Sequence, residues 1–108
     1  MFRIQEPKCF VFVHDDRELE GPFGINWWLQ PLAKGYNGEV KFYTATTEKA
    51  KNAWGEFGIR ESDLPIAVMH DTVTDNKLVM ERGVTFGEKK VRDLVEKFFG
   101  RSNDGGEL

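Results

Sequence analysis

The chain has 108 residues, 40 % of them hydrophobic, with 15 Lys and Arg against 18 Asp and Glu for a formal net charge of -3. That length suits one domain burying roughly two thirds of its unfolded surface, and the mild acidity offers no basic footprint to nucleic acid. A single cysteine excludes an internal disulfide, a dithiol pair or a multi-thiolate zinc site within the chain, and no apolar run approaches the roughly 20 residues of a membrane span.

Met1 to Pro7 is too short and too charged for a signal peptide. Lys8 to Val13 is apolar and β-branched without alternation, the pattern of a central strand buried on both faces. His14 to Pro22 follows with five charged residues, a Gly and a Pro, and reads as an exposed loop. From Ile25 to Lys34, apolar residues recur at Trp28, Leu29, Leu32 and Ala33, a helical spacing closed by Gly35 and Asn37-Gly38. Pro31 falls inside that helix, where loss of one backbone hydrogen bond predicts a kink.

Glu39 to Thr46 is a second strand of mixed burial, carried by Val40, Phe42, Tyr43 and Ala45. Thr47 is the expected N-cap of a helix through Ala50, Ala53, Trp54 and Phe57, ended by Gly58. A short apolar strand from Leu64 to His70 turns at Thr74-Asp75-Asn76 into a hairpin with Lys77 to Glu81. Phe86 to Gly100 is the closing amphipathic helix, with Val91, Leu94, Val95, Phe98 and Phe99 at helical spacing. Ser102 to Leu108 has nothing to bury and is expected to be a mobile tail after a single domain over 1–101. The order strand, helix, strand, helix, strand, strand, helix makes this an α/β chain. Helical crossovers imply a parallel start, and the hairpin an antiparallel finish.

That order carries Pro31 in the first helix, Gly38-Glu39-Val40 before the second strand, Phe57-Gly58-Ile59-Arg60, Pro65, Gly83 after the hairpin and the apolar face from Val91 to Phe99. Together these resemble the thioredoxin fold over roughly Lys8 to Gly100. The resemblance implies a three-layer sandwich, β-α-β-α-β-β-α, with a central mixed four-stranded sheet and helices on both faces. Counting back from Pro31 puts the family's two redox cysteines at Phe23 and Asn26, with Gly24 and Ile25 between them. Neither residue can form a thiolate, so the exchange reaction is removed rather than slowed. The insertion Ser62-Asp63-Leu64 before Pro65 is more similar to the non-catalytic domains of protein disulfide isomerases. That likeness implies a domain that binds extended or unfolded polypeptide, or a partner protein. No cofactor is expected, a monomer is the expected state, and the compartment implied is the endoplasmic reticulum lumen, with the cytoplasm as the alternative.

The resemblance also implies a cis Leu64-Pro65 bond beside a groove whose backbone edge pairs with an extended segment as an added strand. A purely architectural proline is the alternative. The candidate groove residues are Phe23, Ile25, Trp27, Leu64, Pro65, Gly83 and Val84, rimmed by Asp15, Asp16, Arg17, Glu18 and Asp63. In a second reading, Phe23 and one Trp turn inward and fill the vacated space, leaving a structural or assembly domain. A third makes Cys9 the nucleophile of a one-cysteine thiol enzyme, against which its place in the buried strand argues.

His14 beside Asp15 and Asp16 stands at the C-terminal end of the first strand, where ligands of α/β sheets gather, yet reads as a solvated loop residue rather than a metal ligand. His70-Asp71 reads as a strand-end pair, since no Ser or Cys is placed as its nucleophile. On the last helix, Lys89, Lys90, Arg92 and Lys97 are balanced by Glu88, Asp93 and Glu96, a solvated face. Glu107-Leu108 repeats only the last two residues of an endoplasmic reticulum retrieval signal.

Overall fold

A computed structural model of the chain describes residues 6–83 and 85–100. Val84, the segment before Glu6 and the expected tail at 102–108 with its Glu107-Leu108 end lie outside the described residues. Strand β1 (Lys8–Val13) is central because it has no polar face to show: Cys9, Val11, Phe12 and Val13 are all buried. Helix α1 (Ile25–Gly35) carries the chain to β2 (Lys41–Thr46), which pairs parallel to β1 from Lys8 opposite Lys41 to Val13 opposite Thr46. Helix α2 (Thr47–Phe57) then leads to β3 (Ile66–Asp71) on the other side of β1, antiparallel to it, with Cys9 opposite Met69. Strand β4 (Asn76–Val79) completes the hairpin, and α3 (Glu88–Phe98) closes the fold. The sheet order is β2-β1-β3-β4. The chain is therefore α/β; among the described residues it has a mixed four-stranded sheet and three helices, and only the first helical crossover yields a parallel pair.

Both faces of β1 are covered. Phe10 and Phe12, two residues apart and so on one face, meet Phe57 of α2 at ring-centroid distances of 6.1 and 6.2 Å. The opposite face, Cys9, Val11 and Val13, is excluded from water altogether. On that side α1 contributes Ile25, Leu29 and Leu32, one stripe at i, i+4 and i+7, and α3 contributes Val91, Leu94 and Val95. The two helices are joined where the Tyr36 hydroxyl donates to Glu96. Strand β2 is an edge, and Lys41, Tyr43 and Thr44 are exposed along it.

Several local expectations shift. Helix α1 continues through Pro31, whose side lies in solvent. Thr47 is not the N-cap. Strand β2 runs into α2 without an intervening residue, so Thr46 takes the cap position, without a side-chain cap bond, while the Thr47 hydroxyl is buried and unpartnered. The end of α2 is as the sequence suggests: Gly58 adopts φ 69°, the left-handed conformation that suits glycine, and its N–H donates to the Trp54 carbonyl. The Leu64-Pro65 peptide is cis.

Candidate functional site

The loop between β1 and α1 is short of apolar side chains, yet backbone bonds hold it. A 3-10 turn at Asp16–Glu18 is capped by Asp15, whose carboxylate accepts from the Arg17 N–H at 2.9 Å and the Arg17 guanidinium at 3.3 Å. That first bond, with the guanidinium beside it, holds the Asp15 carboxyl below its usual range. Glu18 accepts from the His14 backbone N–H and pairs with the His14 ring at 3.0 Å. Leu19 is buried, and its carbonyl takes the Asn26 N–H at 2.9 Å, which fastens the loop to the first turn of α1.

At the junction, Gly24 is the N-cap of α1, and its N–H donates to Gly21 at 3.1 Å. The loop approaches it so closely that a Cβ there would stand 2.2 Å from the Glu20 carbonyl oxygen and 2.5 Å from that of Leu19. Only a residue without a side chain fits. This turn thrusts Phe23 outward, 98 % exposed, and one turn of helix later Trp27 is 70 % exposed. Trp28, one residue on, is half-buried and packs on Phe86 at 5.8 Å between ring centroids. Pro22, Phe23, Gly24, Trp27 and Trp28 together line an open, mostly apolar pocket of about 210 Å³.

The candidate groove residues thus divide. Phe23 and Trp27 form one exposed aromatic shelf. Ile25 does not belong to it: it is 8 % exposed, because helical periodicity sets it in line with Leu29 and Leu32 toward the core. Leu64 likewise places its side chain in the core. Pro65 is half-buried and Gly83 exposed with φ 80°, and neither is among the residues lining the pocket. Val84 lies outside the described residues.

Asp63 is not a rim charge. Its side chain is only 8 % exposed and accepts from the Arg60 N–H and from Arg82 Nε, both at 3.0 Å. The Arg60 N–H first, and Arg82 after it, hold its carboxyl below the usual carboxylate range. Arg82 also donates to the Gly58 carbonyl at 2.7 Å, so one guanidinium ties the end of α2, the turn before Leu64 and the loop after β4 together. No local pattern in the sequence signals this pairing across 19 residues.

A second, polar crevice of about 400 Å³ opens at the C-terminal ends of β1 and β2, lined by His14, Asp15, Asp16, Thr46, Thr47 and Lys51. His14 is engaged by Glu18 there, and no group of three His, Cys, Asp or Glu side chains able to hold a metal ion converges among the described residues. His70 pairs not with Asp71 but with Asp75, at 3.0 Å, because the turn brings Asp75 back over the strand end with φ 63°. That bond, with Lys77 nearby, lowers the Asp75 pKa. Asp71 instead accepts from the Val73 and Thr74 N–H groups and shapes the turn. Cys9 is fully buried, and burial pushes its thiol up to about 12.

No described helix is long and apolar enough to cross a membrane. No family model matches the chain, and no curated protein matches it.

Proposed function

We propose that the chain is a redox-inactive thioredoxin-like domain that holds extended polypeptide, or an extended segment of a partner protein, on the shelf of Phe23 and Trp27. The observation that carries this reading is the exposure of two large aromatic side chains at the mouth of one apolar pocket. Leaving Phe23 at 98 % exposure gains the isolated fold nothing, and such a patch on a loop held by backbone bonds is a surface for something else. Phe23 does not fill the space a dithiol would occupy, as an assembly domain with a plugged groove requires.

The family part of the reading is supported by the sheet order β2-β1-β3-β4 with its single parallel pair, and by Pro31 within α1. Thiol chemistry is disfavoured by the environment of Cys9. Burial pushes its pKa up to about 12, so the thiol stays protonated at neutral pH, and no solvent reaches the sulfur. The compartment that accompanies this reading is the endoplasmic reticulum lumen. Covering about 300 Å² of apolar surface at roughly 25 cal/mol/Å² gives on the order of 7 kcal/mol, most of it offset by ordering and association. Binding is therefore weak and exchangeable, as suits a module that holds and releases chains.

The test is a titration of the ¹⁵N-labelled chain with short hydrophobic peptides. Amide shifts centre on Pro22 to Trp28, and the Phe23→Ala/Trp27→Ala double variant lowers affinity about tenfold or more, since buried aromatic anchors dominate such interfaces. Its unfolding midpoint moves little, because both side chains are exposed. Shifts confined to α2 and the β4 hairpin, or an unaltered affinity in the double variant, overturn the reading.

A further inference from the structure

We infer that the polypeptide taken by this shelf is cationic: an extended segment with a Lys or Arg within a few residues of the apolar side chain seated on Phe23 and Trp27. This rests on the peptide-holding reading and adds the chemistry of the occupant. The charge of the chain is not evenly spread. Between His14 and Glu20 lie four carboxylates and one guanidinium, while the remainder of the chain has 14 charges of each sign. The whole formal charge of -3 therefore resides in the loop that carries the shelf.

Within that loop two carboxylates are committed, Asp15 to Arg17 and Glu18 to His14. Asp16 and Glu20 are not: both are exposed, and neither forms an ion pair among the described residues. Among the described residues, Lys51 lines the polar crevice with Asp15 and Asp16. The Glu20 carbonyl lies against Gly24, which sets the backbone of Glu20 next to the residue between Phe23 and the first turn of α1.

An anionic occupant would find little to bind. The start of α1 carries partial positive charge, but its Asn26 and Trp27 N–H groups are already spent on the Leu19 and Gly24 carbonyls. The open ring faces of Phe23 and Trp27 add to the preference, since an aromatic face attracts a cation through its quadrupole. Apolar contact and the net negative charge thus fall on one stretch of chain, His14 to Trp27, and a segment mixing apolar and basic residues matches both.

The experiment uses the full chain and three fluorescent peptides with one apolar core, flanked by two Lys, two Ser or two Glu. At low ionic strength the Lys-flanked peptide binds about fivefold tighter than the Ser-flanked one, the scale of exposed charge pairs, and the Glu-flanked peptide binds weakest. Raising the salt to about 0.5 M collapses the ranking. The Asp16→Asn/Glu20→Gln variant brings the Lys-flanked peptide to the level of the Ser-flanked one. Equal affinity of the Lys and Ser peptides at low salt overturns the inference and leaves the apolar shelf standing. Failure of all three peptides to bind overturns the shelf as well.

Discussion

At the scale of single residues, Gly24 decides where the site is. Its place between Phe23 and Ile25 marks it in the sequence only as one of several glycines, whereas the fold presses two carbonyl oxygens within 2.5 Å of where its Cβ would be. Gly24→Ala must push back backbone rather than a flexible side chain, so it is expected to cost about 2 kcal/mol or more in denaturant unfolding and to weaken peptide binding with it. Gly35→Ala, with nothing within 4 Å, serves as the comparison and changes stability by less than about 1 kcal/mol. Adjacent aromatics are equally ambiguous in the sequence. Trp27 and Trp28 differ by one step of roughly 100° around the helix, and which of them faces water depends on Phe86, which meets Trp28 from a distant part of the chain. Ile25 is legible as apolar but not as core, because its register with Leu29 and Leu32 matters only once the core has a position.

At the scale of elements the sequence is clearest where one physical rule acts alone. The bounds of β1 follow from an unbroken apolar run, and the end of α2 from the left-handed glycine that stops it. The cap of α2 lies one residue before the expected Thr47, because a threonine reads as a cap wherever it precedes a helical pattern. Strand and helix abut here and leave the Thr47 hydroxyl without a partner. The same helix is weaker than it need be. Gly55 sits exposed in its interior, and a Cβ added there would meet nothing within 4 Å. Gly55→Ala is expected to stabilise by about 0.5 to 1 kcal/mol, through backbone entropy, raising the thermal midpoint by several degrees in calorimetry.

At the scale of the whole molecule, the Asp63–Arg82 pair joins segments that no local rule connects, from the carbonyl of Gly58 to the loop after β4. Because the folded Asp63 pKa is lowered from its ordinary value, its stabilisation is complete above that ordinary value, about 4, and is lost as pH falls through the lower folded value. Asp63→Asn should therefore be less stable than the parent at pH 7, with the gap closing as pH drops below about 4 in urea midpoints measured across pH. An equal gap at all pH values would show that the charge of Asp63 is not what matters. By itself the sequence determined the α/β class, the order of elements, the buried central strand and the absence of a dithiol, since each follows from hydrophobic spacing, turn chemistry or residue identity along the chain. Only the tertiary structure decided that β3 runs antiparallel to β1, that Ile25 and Leu64 belong to the core, and that Phe23 and Trp27 face solvent at the end of a loop whose Asp16 and Glu20 form no ion pair among the described residues. Those outcomes depend on contacts between distant segments and on how tightly the backbone approaches Gly24, and neither is encoded in any local stretch of residues.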